Sequence, residues 1–97
     1  MVREMTLGKW GRLKKQYLKE RRPVAYALLQ MAGKLTEYLQ EIDEMANSRM
    51  EALMPILTSE AGVTEELKAT NPRQWIRLMK DCKAQAEELI LAGLIYN

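Results

Sequence analysis

The sequence has no histidine and no phenylalanine, a single cysteine, Cys82, and only three prolines in 97 residues. Each absence removes a class of chemistry. Without histidine there is no side chain that ordinarily exchanges a proton near neutral pH, so Ser-His-Asp and Cys-His constellations are excluded. Zinc sites that mix histidine with cysteine, or that gather several cysteines, are excluded as well. One cysteine cannot form an internal disulfide, which agrees with a reducing compartment. No apolar run approaches the ~20 residues needed to span a bilayer. The longest, Leu89 to Tyr96, is far too short. The first residues, Met1-Val2-Arg3-Glu4-Met5, lack the apolar stretch of a secretory signal, so the expected location is the cytoplasm.

What is present is helix-forming. Ala, Leu, Glu, Lys, Gln, Arg and Met dominate, strand-like alternation is missing, and no solenoid-length repeat occurs. Trp10, Leu13, Tyr17 and Leu18 share one face of a first helix expected from about Lys9 to Arg22, where Pro23 interrupts it. A short second helix follows from Pro23 to about Ala32 and closes on Gly33. Leu35, Leu39, Ile42, Ala46, Met50, Leu53 and Leu57 recur at threes and fours and predict a long third helix to about Ser59. Pro55 falls inside it and is expected to kink it or end it near Met54. Thr64 caps a fourth helix of one or two turns. Asn71-Pro72 starts a fifth, reaching about Leu94. There Trp75, Met79, Cys82, Ala86, Leu89 and Gly93 form a heptad-like stripe, widened by Ile76 and Ile90.

Charge is unevenly placed. Residues 1–34 hold nine basic and two acidic side chains, a balance of +7, and residues 35–97 hold six and eleven, a balance of −5. Seven of the basic residues (Lys9, Arg12, Lys14, Lys15, Lys19, Arg21 and Arg22) lie between positions 9 and 22. Of these, Arg12, Lys15, Lys19 and Arg22 form a stripe opposite the Trp10/Leu13/Tyr17 face. Such a stripe suits a row of phosphates, an acidic protein surface or plain solvent. A helix-turn-helix reading of the Gly33 turn is weakened by Glu37, Glu41 and Glu44, which would face phosphates on a reading helix, so an ordinary helical corner is expected. The same glutamates, with Glu87 and Glu88, invite a metal site, but helical-bundle metal sites pair glutamate with histidine, and none exists here. Cys82 reads as a core residue, and the seven methionines read mostly as core fillers.

The ordered set Tyr17-Leu18-Lys19-Glu20-Arg21-Arg22, Tyr26, Leu28-Leu29, Gly33-Lys34-Leu35, Leu39 and Ile42-Asp43 resembles the TnpV family of small transposon-encoded proteins of Firmicutes mobile elements. The resemblance continues through Gly62-Val63-Thr64-Glu65-Glu66-Leu67-Lys68-Ala69, Trp75, Met79 and Ile95-Tyr96, about residues 8 to 97. It implies carriage on a transposon or integrated conjugative element. It brings no catalytic residue, and Arg21 stands where the family usually has histidine.

The expectation is an all-α small helical bundle of about three main helices plus one or two short ones. Residues 1–8 would be an N-terminal extension and residues 9–97 one helical domain. The third and fifth helices are expected to pack antiparallel. The expected function is a non-enzymatic accessory role, with Arg12, Lys15, Lys19 and Arg22 contacting DNA. The alternative is a protein–protein interaction module that binds the recombinase or a host factor and no nucleic acid. No catalytic residue, metal, cofactor, small-molecule ligand or membrane contact is expected. A homodimer is expected, since the apolar stripes exceed what one small core needs.

Overall fold

The computed structural model describes residues 7–97; most of the expected extension, residues 1–6, lies outside them. Five α-helices follow one another: α1 (Lys9–Arg21), α2 (Pro23–Met31), α3 (Leu35–Ala61), α4 (Glu65–Thr70) and α5 (Pro72–Ile90). A π-helical turn, Leu91–Ile95, continues α5. There are no strands among the described residues. None of their helices is long and apolar enough to cross a membrane.

The boundaries follow local chemistry. Pro23 opens α2 after Arg22 has left helical geometry at φ −135° and ψ 59°. Gly33 and Gly62 take positive φ, 70° and 75°, and end α2 and α3. In each turn two backbone N–H groups return to the last carbonyls: Gly33 to Gln30 and Lys34 to Leu29, then Gly62 to Ser59 and Val63 to Thr58. Thr64 Oγ1 accepts from the Leu67 N–H at 3.0 Å, and Asn71 Oδ1 from the Gln74 N–H at 3.3 Å. These side chains start α4 and α5.

Helix α3 runs through Pro55 to Ala61, as its apolar stripe implies, so the proline does not end it near Met54. The proline removes the N–H that would bond the Glu51 carbonyl. Both residues are exposed, so water can serve the freed group. Thr58 Oγ1 donates to the Met54 carbonyl at 2.8 Å in the turn that follows.

The core is small. Trp10 of α1, Ile42 and Ala46 of α3, and Ile90, Leu94 and Ile95 at the C-terminal end of the chain form one buried cluster. Leu13, Tyr38, Met50, Leu53 and Leu91 pack around it. Ile42 and Ala46 meet the end of α5, while Met50 shares a cleft with Lys83 and Glu87 farther back along it. Thus α5 runs antiparallel to α3, as the apolar stripes imply. The α5 stripe itself changes register after Ala86. Cys82, Ala86 and Ile90 are buried, followed by Leu94 and Ile95, whereas Leu89 and Gly93 face outward. The wider π turn brings both Leu94 and Ile95 onto the core side.

The molecule is long and thin, 55 × 29 × 18 Å. Its radius of gyration, 17.1 Å, exceeds the ~13 Å of a compact domain of this size. Core packing is concentrated where α1, α3 and the C-terminal end meet. No residue of α2 or α4 is fully buried.

Candidate nucleic-acid interface

Helix α1 lies with one side on α3 and the C-terminal turn. Its buried residues are Trp10, Gly11, Lys14 and Leu18. Its N-terminus has no side-chain cap of its own. Asp43 of α3 fills that place: the Gly8 N–H donates to Asp43 Oδ2. A carboxylate at a helix N-terminus is favoured by the exposed N–H groups and the helix dipole. The fit depends on two glycines. A Cβ at Gly8 or at Gly11 would stand 2.9 Å from an Asp43 carboxylate oxygen. At Gly11 it would also stand 3.1 Å from the Leu39 carbonyl. The other oxygen, Asp43 Oδ1, is buried with no hydrogen-bond partner among the described residues. Asp43 is therefore a structural joint between α1 and α3, a role that the charge pattern did not reveal. The signal available was the Gly8-x-x-Gly11 spacing at the start of an otherwise glycine-free helix.

Two members of the basic cluster are used inside the protein. Lys14, which the sequence places among the cations of α1, is only 3% exposed. Its Nζ donates to the Ile95 carbonyl at 3.0 Å and to Asn97 Oδ1 at 3.2 Å. Asn97 Nδ2 in turn donates to the Gly93 carbonyl at 2.8 Å, and Tyr96 packs on Tyr17 with ring centroids 5.6 Å apart. The ammonium thus pins the last turn of the chain at the negative end of its backbone dipole. Burial pushes the Lys14 pKa below its ordinary 10.5, with Tyr17 opposing and Arg22 adding a smaller push. Lys9 forms an ion pair with Glu87 of α5 at 2.9 Å and lies over the Trp10 ring.

The four predicted contact residues are placed differently. Arg12, Lys19 and Arg22 are exposed and Lys15 is half-buried. The structure brings them together along the outer side of α1 at spacings of three, four and three residues, with Arg22 at the break before α2. Arg12 Nη1 donates to the Leu7 carbonyl at 2.7 Å, and Lys19 lies 5.7 Å from the Tyr26 ring centre. The one acid on the helix, Glu20, accepts instead from Gln16. Among the described residues, no carboxylate lies within ion-pair distance of these four cations. At 1.5 Å per residue they span ~15 Å, the length of about four phosphates along one strand of B-DNA.

The turn at Gly33 joins two helices, but α3 begins with exposed Glu37, Glu41 and Glu44, so the structure retains the acidic face that argues against groove reading there. Cys82 is buried in α5, as its apolar stripe implies. Among the described residues no three acidic or cysteine side chains gather around one point.

Fold and surface define a small helical protein whose first helix presents a row of cations with no acid beside them among the described residues. Over residues 2–95 the chain matches the family model described as transposon-encoded protein TnpV. It belongs to the TnpV family, and its genetic setting is a transposon. No curated protein and no solved structure matches it.

Proposed function

We propose that this chain is a non-enzymatic accessory protein of its mobile element that contacts DNA through Arg12, Lys15, Lys19 and Arg22. The supporting observation is the division of labour among the cations of α1. Lys9 and Lys14 are committed to internal partners, while the four outer residues have no acid beside them among the described residues. Four phosphate contacts would give a slope of about −3.6 in log affinity against log salt. Contacts of this kind fix a protein on the duplex without reading its sequence.

The test is anisotropy of labelled duplexes, one from the ends of the element and one scrambled, across a salt series. Wild type is run beside a quadruple Arg12/Lys15/Lys19/Arg22→Ala variant whose helicity is checked. Salt-sensitive binding that disappears in the variant supports the proposal. No binding at low salt would overturn it.

One observation favours the alternative, a protein-interaction module without nucleic-acid binding. Helix α2 exposes an apolar face, with Val24 at 71%, Leu28 at 61% and Met31 at 82% exposure. A partner protein retained by the quadruple Ala variant and lost on changing α2 would support that reading over DNA contact.

A further inference from the structure

The apolar face of α2 is exposed along its length and has a complement on the same chain. Residues 23–33 carry no charge at all, and nothing in α2 is buried. Val24, Leu28 and Met31 are spaced four and three apart, one face of the helix. Beside the core, α3 and α5 form a groove of about 320 Å³ lined by Arg49, Ala52, Leu53, Leu89 and Ile90. Met45 and Ile56 extend it, being exposed and in the same 4-3-4 row as Arg49 and Ala52. Leu89 is 55% exposed on its edge. An apolar helix face and an apolar two-helix groove are the two halves of helix-in-groove recognition.

The geometry points to a second copy of this chain as the occupant: α2 of each protomer seats on the α3–α5 groove of the other in a reciprocal two-fold dimer. Charge favours this pairing over α2 against α2. Helix α2 is flanked by Arg21 and Arg22 before it and Lys34 after it. Self-pairing would bring those cations together in either orientation, which costs energy. The two helices that wall the groove instead carry nine acidic and five basic residues together, Arg49 being the charged residue in the lining itself. Area favours it too. A nine-residue helix presents one short face, while a stable interface buries ~800 Å² per partner. The reciprocal arrangement buries two helix faces and two grooves, and a two-fold axis closes the assembly so that no filament grows.

The experiment is light scattering of the full chain across a wide concentration series, with Leu28→Glu and Leu89→Glu variants. Both residues are exposed in the protomer, so both variants should keep the wild-type helicity and thermal midpoint measured at the lowest concentration. Wild type is expected at twice the chain mass, and each variant as a monomer. A mixture of the two variants should recover weakened dimer, because one intact helix meets one intact groove. A dimer that survives Leu89→Glu would overturn the proposal in favour of another contact. So would wild type that stays monomeric throughout, including one that instead sediments with anionic phospholipid vesicles. These outcomes do not depend on DNA binding, whose test removes cations of α1 and leaves α2 and the groove unchanged.

Discussion

At the scale of single residues, the joint between α1 and α3 is the least tolerant place in the molecule. Gly11→Ala puts a methyl 3.1 Å from the Leu39 carbonyl and 2.9 Å from Asp43 Oδ2, so backbone must move as well as side chain. The expected cost is about 1–3 kcal/mol, the usual range for overpacking. Urea unfolding measures it; a change within a few tenths would show that the joint relaxes freely. Lys14 makes a prediction of a different kind. Below its lowered pKa, Lys14 is protonated whether folded or unfolded, and the burial penalty is complete. Between that value and 10.5 the unfolded chain keeps a proton that the folded one has released, so stability contributed at this site rises with pH. Wild type compared with Lys14→Met should therefore gain relative stability as pH climbs toward 10.5. A difference independent of pH would show that the ammonium is effectively hydrated. Neither role was legible beforehand. One lysine in a basic run looks like its neighbours, and a buried lysine is chosen by which carbonyl the chain end brings to it, here that of Ile95.

At the scale of elements, the sequence carried most of the fold in its stops. Pro23, Gly33, Gly62, Thr64 and Asn71-Pro72 each act within a few residues of themselves, and each stands at an observed boundary. At Pro55 local and tertiary preferences compete: a proline disfavours the helix around it, yet α3 continues, and both α1 and α5 pack on this helix. Pro55→Ala restores the bond to the Glu51 carbonyl and should stabilise the protein by about 1–3 kcal/mol, the ceiling being the helix-interior penalty of proline. A thermal midpoint that rises confirms this. One that falls would mean that the proline sets a bend which the α3–α5 contact requires. The α5 stripe holds at Cys82, Ala86 and Ile90 and departs at Leu89 and Gly93, which face outward. After Ala86, a step of three to Leu89 and a step of four to Ile90 are both apolar, so periodicity alone offers two faces. Beyond Ile90 the π turn brings both Leu94 and Ile95 inward, and a π turn leaves no mark in an apolar sequence. The row Arg12, Lys15, Lys19 and Arg22 was legible because an outward row needs only helical spacing and no partner.

At the scale of the whole molecule, stability should be distributed as unevenly as burial. The cluster of Trp10, Ile42, Ala46, Ile90, Leu94 and Ile95 joins α1, α3 and α5 into one cooperative unit. Helix α2 has no buried residue, and α4 has six residues and no buried side chain. Isolated helices shorter than ~12 residues are marginal in water, so α2 and α4 can open without the rest. Native-state hydrogen exchange should then show two tiers. Amides of Ile42, Ala46 and Ile90 exchange only through global unfolding, and those of Tyr26 to Gln30 and Leu67 through local opening at much lower free energy. The elongated shape gives this hierarchy a second reading. If α2 finds its cover on another copy, its protection must rise with protein concentration while that of α4 does not. Exchange at a low and a high concentration separates the cases. Protection gained by α2 alone locates the contact on that helix. Equal, concentration-independent exchange of α2 and α4 would mean that α2 opens as a free surface helix, and that its apolar face has some other purpose than self-association.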